Sequence, residues 1–213
     1  MGIDYIDQLA SKINEIPKPG LVAQLKMAPP QRFGTKKSLI NVPKDAKKAA
    51  VLMVLYPDEH QVLHFCLIQR TTYDGKHSGQ ISFPGGKKEE KDKDFWETAL
   101  RESHEEIGLD PTSVELLTNL STTYIPPSNF FVYPYLAVTR QCPNFSAEIG
   151  EVDHIIEVPL HALLGEEAVQ EGRITASYAK EVVVPMYVFG RYKVWGATAM
   201  ILSEAKEIIR LVK

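Results

Sequence analysis

At 213 residues and 44% hydrophobic, the chain can bury a substantial core, most simply as one domain with extensions. A formal net charge of −3 and a pI near 6.1 argue against a dedicated nucleic-acid or anionic-membrane binder, which would carry a basic excess. Cys66 and Cys142 stand far apart without CxxC spacing, no window approaches a membrane span, and the opening MGIDYIDQLASKI lacks a secretory apolar run, so a cytoplasmic protein is expected.

Ile3, Ile6, Leu9, Ile13 and Ile16 recur at helical spacing, with Asp4 near the start and PKPG (Pro17–Gly20) as a stop, which predicts an amphipathic N-terminal helix. Residues 21–48 are rich in Pro and Lys (KMAPPQRFGTKK) and read as a long connection with little regular structure. The apolar runs Ala49–Tyr56 and Val62–Arg70, separated by PDEHQ, predict a hairpin at the centre of a sheet, with Cys66 a small core residue. Gly79–Phe83 is a further short strand, ended by Pro84-Gly85-Gly86. Asp94 followed by Glu97 is a capping-box signature and Gly108 a C-terminal stop, so a helix is expected from Asp94 to Ile107. Strands follow at Val114–Thr122, Phe130–Val138, His154–Val158, Glu181–Val188 and Tyr192–Trp195, then a helix from Gly196 through Val212. One helix among many strands, with helices at the ends, predicts an α+β or α/β sandwich. The expected division is residues 1–48 as N-terminal helix and Pro-rich connection, and 49–213 as the main domain.

On the Asp94–Ile107 helix, Trp96, Ala99, Leu100, Ser103 and Ile107 form a core-facing stripe, while Arg101, Glu102, Glu105 and Glu106 occupy the other side. Glutamates at i, i+3 and i+4 repel one another unless something cationic sits among them. The face is therefore either a solvated acidic patch or a metal site. Glu102 and Glu106, one turn apart, can reach a common point, and hard divalent cations such as magnesium bind through a few carboxylates plus substrate phosphates. Arg101 precedes Glu105 by four residues and can hold it in a bidentate pair. The double glycine Gly85-Gly86 lets the backbone approach a ligand closely, and a peptide carbonyl there could complete a metal sphere.

Gly86–Leu109 resembles the Nudix box, G-x5-E-x7-R-E-U-x-E-E-x-G-U with U apolar. Arg101–Leu109 (RESHEEIGL) fits its second half. In the first half Asp92 stands where the pattern has Glu, and eight residues rather than seven separate it from Arg101; Ser103 replaces an apolar side chain. The resemblance implies the Nudix α/β/α sandwich with a central mixed β-sheet, here with an added N-terminal helix. It further implies hydrolysis of a nucleoside diphosphate derivative, with Glu102 and Glu106 holding Mg²⁺ or Mn²⁺, Glu105 as a further ligand or water-orienting group, and the Gly85 carbonyl as an additional ligand. For the general base, Glu105 is a candidate within the box. The segment SAEIGEVDHIIEVPL offers Glu148, Glu151 and Asp153, of which Glu151 is preferred; ordinary loop charges are the alternative. Arg101, Glu105 and Glu151 form the expected catalytic set.

Upstream, LIQRTTYDGKHSGQISFPGG (Leu67–Gly86) resembles the motif that precedes the box in Nudix coenzyme A diphosphatases, L-L-T-x-R-[SA]-x3-R-x3-G-x3-F-P-G-G. Arg70, Thr71, Gly79, Phe83, Pro84, Gly85 and Gly86 fall in register. Gly75 replaces the second arginine, and Lys76 beside it keeps the charge without the planar fork. The resemblance implies substrate-binding roles for Arg70, Lys76, His77, Gly79 and Phe83, against the plainer reading that Arg70 and Lys76 cap strand ends. It points to coenzyme A or acyl-CoA as substrate, giving (acyl-)4′-phosphopantetheine and adenosine 3′,5′-bisphosphate. The other readings are a Nudix hydrolase of ADP-ribose, nucleotide sugars or dinucleotides, and a non-catalytic Nudix ligand-binding module. YKVWGATAMIL (Tyr192–Leu202) also looks like the closing segment of coenzyme A-type Nudix domains; a strand–helix junction with Trp195 buried is the plainer account. Asn129, Phe130 or Tyr133 could contact substrate, with core packing the alternative. The expected partner is a small-molecule diphosphate, with neither nucleic acid nor membrane, and the N-terminal helix is a candidate homodimer surface.

Overall fold

The structure, a computed structural model, describes residues 2–30, 42–71, 79–176 and 179–212. In chain order its first elements are helices α1 (Asp4–Lys12) and α2 (Gly20–Leu25), strands β1 (Lys47–Pro57), β2 (Leu63–Arg70), β3 (Ile81–Ser82) and β4 (Gly85–Lys87), and helix α3 (Phe95–Ile107). Strands β5 (Val114–Asn119), β6 (Thr123–Ile125), β7 (Phe130–Thr139) and β8 (Val152–Pro159) follow, then helix α4 (Leu160–Leu164). Strands β9 (Val169–Ala176), β10 (Ala179–Phe189) and β11 (Tyr192–Trp195) and helix α5 (Gly196–Leu211) complete the chain.

The sequence of β1 explains why it lies at the centre. Side chains alternate across a strand; Ala50, Leu52, Val54 and Tyr56 enter one apolar cluster while Met53 and Leu55 enter another. A strand buried on both faces needs neighbours on both edges. β1 pairs in parallel with β7 from Lys47↔Phe130 to Leu55↔Val138. On its other edge it pairs antiparallel with β4 over Ala49–Val51 and with β2 over Leu55–Pro57. The sheet is therefore mixed. β2 carries β8 along most of its length, and β5 and β6 add to β7.

Helix α3 covers the Ala50–Tyr56 face through Ala99 and Ile107. The opposite face is covered by α1, α4 and α5, with Ile6, Leu9, Leu163, Ala205 and Ile209 fully buried there. Each such leucine or isoleucine side chain contributes about 1.5–3 kcal/mol relative to exposure. A second, three-stranded antiparallel sheet, β9–β10–β11, leads into α5. This is the expected α/β/α sandwich with helices on both sides of a mixed sheet. The apolar stripe of α1 is used within its own chain: Tyr5, Ile6 and Leu9 are buried, and the Tyr5 hydroxyl donates to the Ile209 carbonyl at 2.7 Å. Among the described residues no helix is long and apolar enough to cross a membrane.

Several local expectations are corrected. Residues 21–48 are not all irregular: α2 forms at their start and is fastened by a buried polar knot. Gln24 donates to Glu204 at 2.8 Å and accepts from Thr123 at 2.9 Å, while the backbone and hydroxyl of Ser121 donate to the Glu204 carboxylate. The predicted hairpin exists only at its turn end, because β4 displaces β2 along the first half of β1. Strands β4 and β9 and helix α4 were not expected at all.

Candidate active site

Helix α3 begins and ends as its sequence dictates. The Asp94 carboxylate accepts from the Glu97 amide at 2.8 Å, the Glu97 carboxylate accepts from the Lys93 amide at 2.6 Å, and Gly108 closes the helix at φ 69°. Ser103, the polar residue in the apolar stripe, is buried and satisfies its hydroxyl on the Ala99 carbonyl at 2.7 Å. The fixed helix then presents its three glutamates in three different environments.

Glu106 is the most enclosed, 1% exposed. One carboxylate oxygen accepts from Arg70 at 2.7 Å and the other from the Gly85 amide at 2.8 Å. Burial pushes its carboxyl up to about 7, and the charge of Glu102 adds to the rise; the Gly85 amide and Arg70 oppose it. Glu102 lies against Gly86 so closely that a β-carbon there would stand 2.2 Å from its Oε2. Burial raises its carboxyl too; Arg101 opposes this, while Glu105 and Glu151 add to it. Glu105 is exposed and accepts from Arg101 at 2.8 Å.

The two glycines serve different ends. Gly85 adopts φ 144°, and a β-carbon there would lie 2.3 Å from the Ala50 carbonyl oxygen, so β4 can pair with β1 only without a side chain. Gly86 leaves room for a carboxylate rather than for backbone.

Arg101 was expected to grip Glu105 in a bidentate pair. Its bidentate partner is instead Asp92: Nε donates to Oδ1 at 2.8 Å and Nη2 to Oδ2 at 3.0 Å. Asp92 is buried, and it also accepts from the Glu89 amide and the Thr98 hydroxyl at 2.9 Å each. The Arg101 guanidinium holds its carboxyl well below the usual carboxylate range. The remaining edge of Arg101 meets Glu102 at 3.0 Å and Glu105 at 2.8 Å, so one cation spaces both glutamates. Asp92 is thus a site residue missed by sequence reasoning, although its place in the box pattern was the available signal.

The loop before β8 reaches the same end of the sheet. The Glu151 carbonyl accepts from the Thr71 amide at 3.1 Å, and the Gly150 carbonyl from the Thr71 hydroxyl at 2.8 Å. Arg70 lies in register with Val152, so Glu151 flanks Arg70. Its side chain is exposed, and its charge acts on Glu102. Gly79, at φ 66°, donates its amide to the Thr71 carbonyl at 3.4 Å. Lys76 and His77 lie outside the described residues. Phe83 is 2% exposed within the main core, which corrects its expected role as a substrate contact: its ring anchors the strand that delivers Gly85.

Among the described residues, no three carboxylate, imidazole or thiolate groups converge as a ready-made metal cage. Glu106 turns to Arg70 and Gly85, and Glu105 to Arg101. The donor chemistry nevertheless fits a hard divalent cation. Glu102 and Glu106 are two largely enclosed carboxylates one turn apart, and the charge of Glu102 acts on Glu106; a cation supplied with substrate phosphates needs only a few protein oxygens.

A family model described as the NUDIX domain matches residues 46–178. The chain is 33% identical over 188 residues to "Nudix hydrolase 15, mitochondrial" of Arabidopsis thaliana, covering 83% of this chain and 65% of that protein. It is 32% identical over 137 residues to "Mitochondrial coenzyme A diphosphatase NUDT8" of Homo sapiens, covering 63% of this chain and 58% of that protein. To "Uncharacterized Nudix hydrolase NudL" of Enterobacter sp. (strain 638) it is 30% identical over 171 residues, covering 74% of this chain and 80% of that protein. Against the first curated relatives that it matches, the chain spans just under two thirds of their length.

Proposed function

The chain belongs to the Nudix family, and from that premise we propose that it is a Mg²⁺- or Mn²⁺-dependent hydrolase of the diphosphate bond of coenzyme A or acyl-CoA. The products are (acyl-)4′-phosphopantetheine and adenosine 3′,5′-bisphosphate. The observation that carries this reading is the 2.7 Å contact between Arg70 and Glu106. It joins the segment resembling the coenzyme A diphosphatase motif to the glutamate helix, at one point beside Gly85. The similarity to a protein named a coenzyme A diphosphatase supports the substrate.

Glu102 and Glu106 are the proposed metal ligands, with Glu105 and the Gly85 carbonyl as supplementary ones. When bound, a divalent ion supplies charge neutralisation at the phosphate oxygens and acidifies an attacking water. The chain's own residues do the rest. Asp92 locks Arg101, and Arg101 keeps Glu102 and Glu105 apart and oriented. Arg70 offers its guanidinium to a phosphate as well as to Glu106. Glu151, exposed at the rim, is the proposed base: it takes the water's proton as the water oxygen bonds to phosphorus and the bridging P–O bond breaks. Residence in the cytoplasm belongs to the same proposal and is testable by fractionation.

The test is hydrolysis of coenzyme A beside ADP-ribose and a diadenosine polyphosphate, with and without each metal, with products identified by mass. Metal-dependent release of adenosine 3′,5′-bisphosphate, with coenzyme A preferred, is the expected result. Turnover of ADP-ribose alone would retain the metal helix and overturn the coenzyme A assignment.

A further inference from the structure

Strand β2 ends at Arg70, and Thr71 is the next residue. Its neighbour β8 is irregular there: Gln69 lies in register with His154 and Arg70 with Val152, so Asp153 has no opposite number. An extra residue of this kind bends a strand and disrupts its ladder. Beyond the irregularity, the Thr71 amide still donates to the Glu151 carbonyl at 3.1 Å. The preceding carbonyl, that of Gly150, accepts from the Thr71 hydroxyl at 2.8 Å. Gly150 stands at φ 100°, a conformation that glycine adopts freely, so its peptide is the one in this turn with most freedom to swing.

The same turn is fastened on its other side to the glutamate helix. The last carbonyls of a helix have no partner within it. Here the Glu106 carbonyl accepts from the Glu148 amide and the Ile107 carbonyl from the Ser146 amide, both at 3.0 Å. The Glu148 carbonyl then accepts from the amides of Glu151 at 3.3 Å and Val152 at 3.1 Å. Residues 146–152 therefore bridge the end of α3 to the end of β2. These bonds run from main chain to main chain, and the Thr71 hydroxyl adds a side chain to them. The Glu151 side chain is exposed, so its direction follows from the backbone that carries it.

We propose that Thr71 is a positioning residue for the hydrolysis. By holding the Gly150 carbonyl, its hydroxyl sets the peptide that leads into Glu151, and so the direction from which that carboxylate takes the proton of the attacking water. In this role Thr71 touches neither the water nor the phosphate. Proton transfer depends on such placement, because a base must lie within hydrogen-bond reach of the proton it removes. The inference rests on reading Glu151 as the base and not on which diphosphate is cleaved.

Thr71→Val keeps the amide and the side-chain shape but cannot donate, whereas Thr71→Ser keeps the hydroxyl. Thr71 is only partly buried, at a strand end, so neither variant puts the fold at risk. Both are made in the wild type and in Glu151→Gln, and turnover is measured with Mg²⁺ or Mn²⁺ on whichever diphosphate the wild type cleaves. In Thr71→Val kcat is expected to fall roughly ten- to a hundred-fold, with KM and the unfolding midpoint little changed, and to return in Thr71→Ser. In the Glu151→Gln background the valine should cost nothing further, because a residue that acts through Glu151 has nothing left to position. Amide exchange of Glu151 and Val152, which needs no substrate, should quicken roughly ten-fold in Thr71→Val and not in Thr71→Ser. An equal loss of kcat in both backgrounds, or unchanged exchange in Thr71→Val, would overturn the positioning role. Wild-type kcat in Thr71→Val beside a large loss in Glu151→Gln would sink it alone and leave the base in place. Glu151→Gln matching the wild type would instead remove the base reading, and the inference with it.

Discussion

Asp92 and Arg101 show how much of the site depends on one buried pair. Replacing Asp92 by Asn leaves Arg101 without its bidentate partner inside a largely enclosed network, an arrangement that costs about 3 kcal/mol when one partner of a buried pair is removed. The depressed Asp92 carboxyl means that the unfolded chain binds the proton more readily. Its contribution is therefore complete above the ordinary aspartate range and is lost as pH falls below about 4. Denaturant titrations from pH 3 to 7 should show a steeper acid limb in the wild type than in Asp92→Asn; parallel limbs would refute the assignment. The adjacent glycines make a second prediction. Gly85→Ala pushes a β-carbon into the Ala50 carbonyl at an unfavourable φ and should lower stability by a few kcal/mol. Gly86→Ala meets first the Glu102 carboxylate, the far end of a flexible side chain, so it should lower kcat more than the unfolding midpoint. Equal losses of stability in the two variants would contradict the separate roles given to them.

Helix α3 was the most legible element, because its caps, its stripe and its charged face are all local signals. Ser103 fits that account: its hydroxyl is satisfied within the helix, so Ser103→Ala should change stability by less than about 1 kcal/mol, measurable by thermal unfolding. Elements without a local signal were missed. Strand β4 is Gly-Gly-Lys and carries no apolar alternation; it exists because β1 offers an edge at Ala49–Val51. Strand β9, VQEGRITA, reads as polar because one face is solvated and its pairing with β10 supplies the order. Short α2 and α4 depend on contacts with α5 rather than on propensity. At the site, the positions of Glu102, Glu105 and Glu106 were legible from spacing. The Arg70–Glu106 and Asp92–Arg101 pairs were not, since both join segments whose approach is set by the sheet.

Across the whole molecule, the decisive contact is the parallel pairing of β1 with β7, which no local pattern announces. It sets Tyr133 beside Ala50, and the antiparallel pairing with β4 sets Gly86 on the other side of the same residue. The opposite face is closed by α1 on α5. Leu9→Ala removes a fully buried side chain there and should destabilise the chain by about 2–5 kcal/mol while leaving KM unchanged, since the site lies across the sheet; a selective loss of activity would mean that α1 does more than pack. The central proposal is that this sheet end is a metal-dependent coenzyme A diphosphatase centre built on Glu102 and Glu106. The most direct measurement is release of adenosine 3′,5′-bisphosphate from coenzyme A by the wild type and by Glu106→Gln at saturating Mg²⁺ or Mn²⁺. The account predicts turnover in the wild type and a loss of several orders of magnitude in kcat for a variant that remains folded. A Glu106→Gln protein that matches the wild type, or a wild type that leaves coenzyme A intact with either metal, would contradict it.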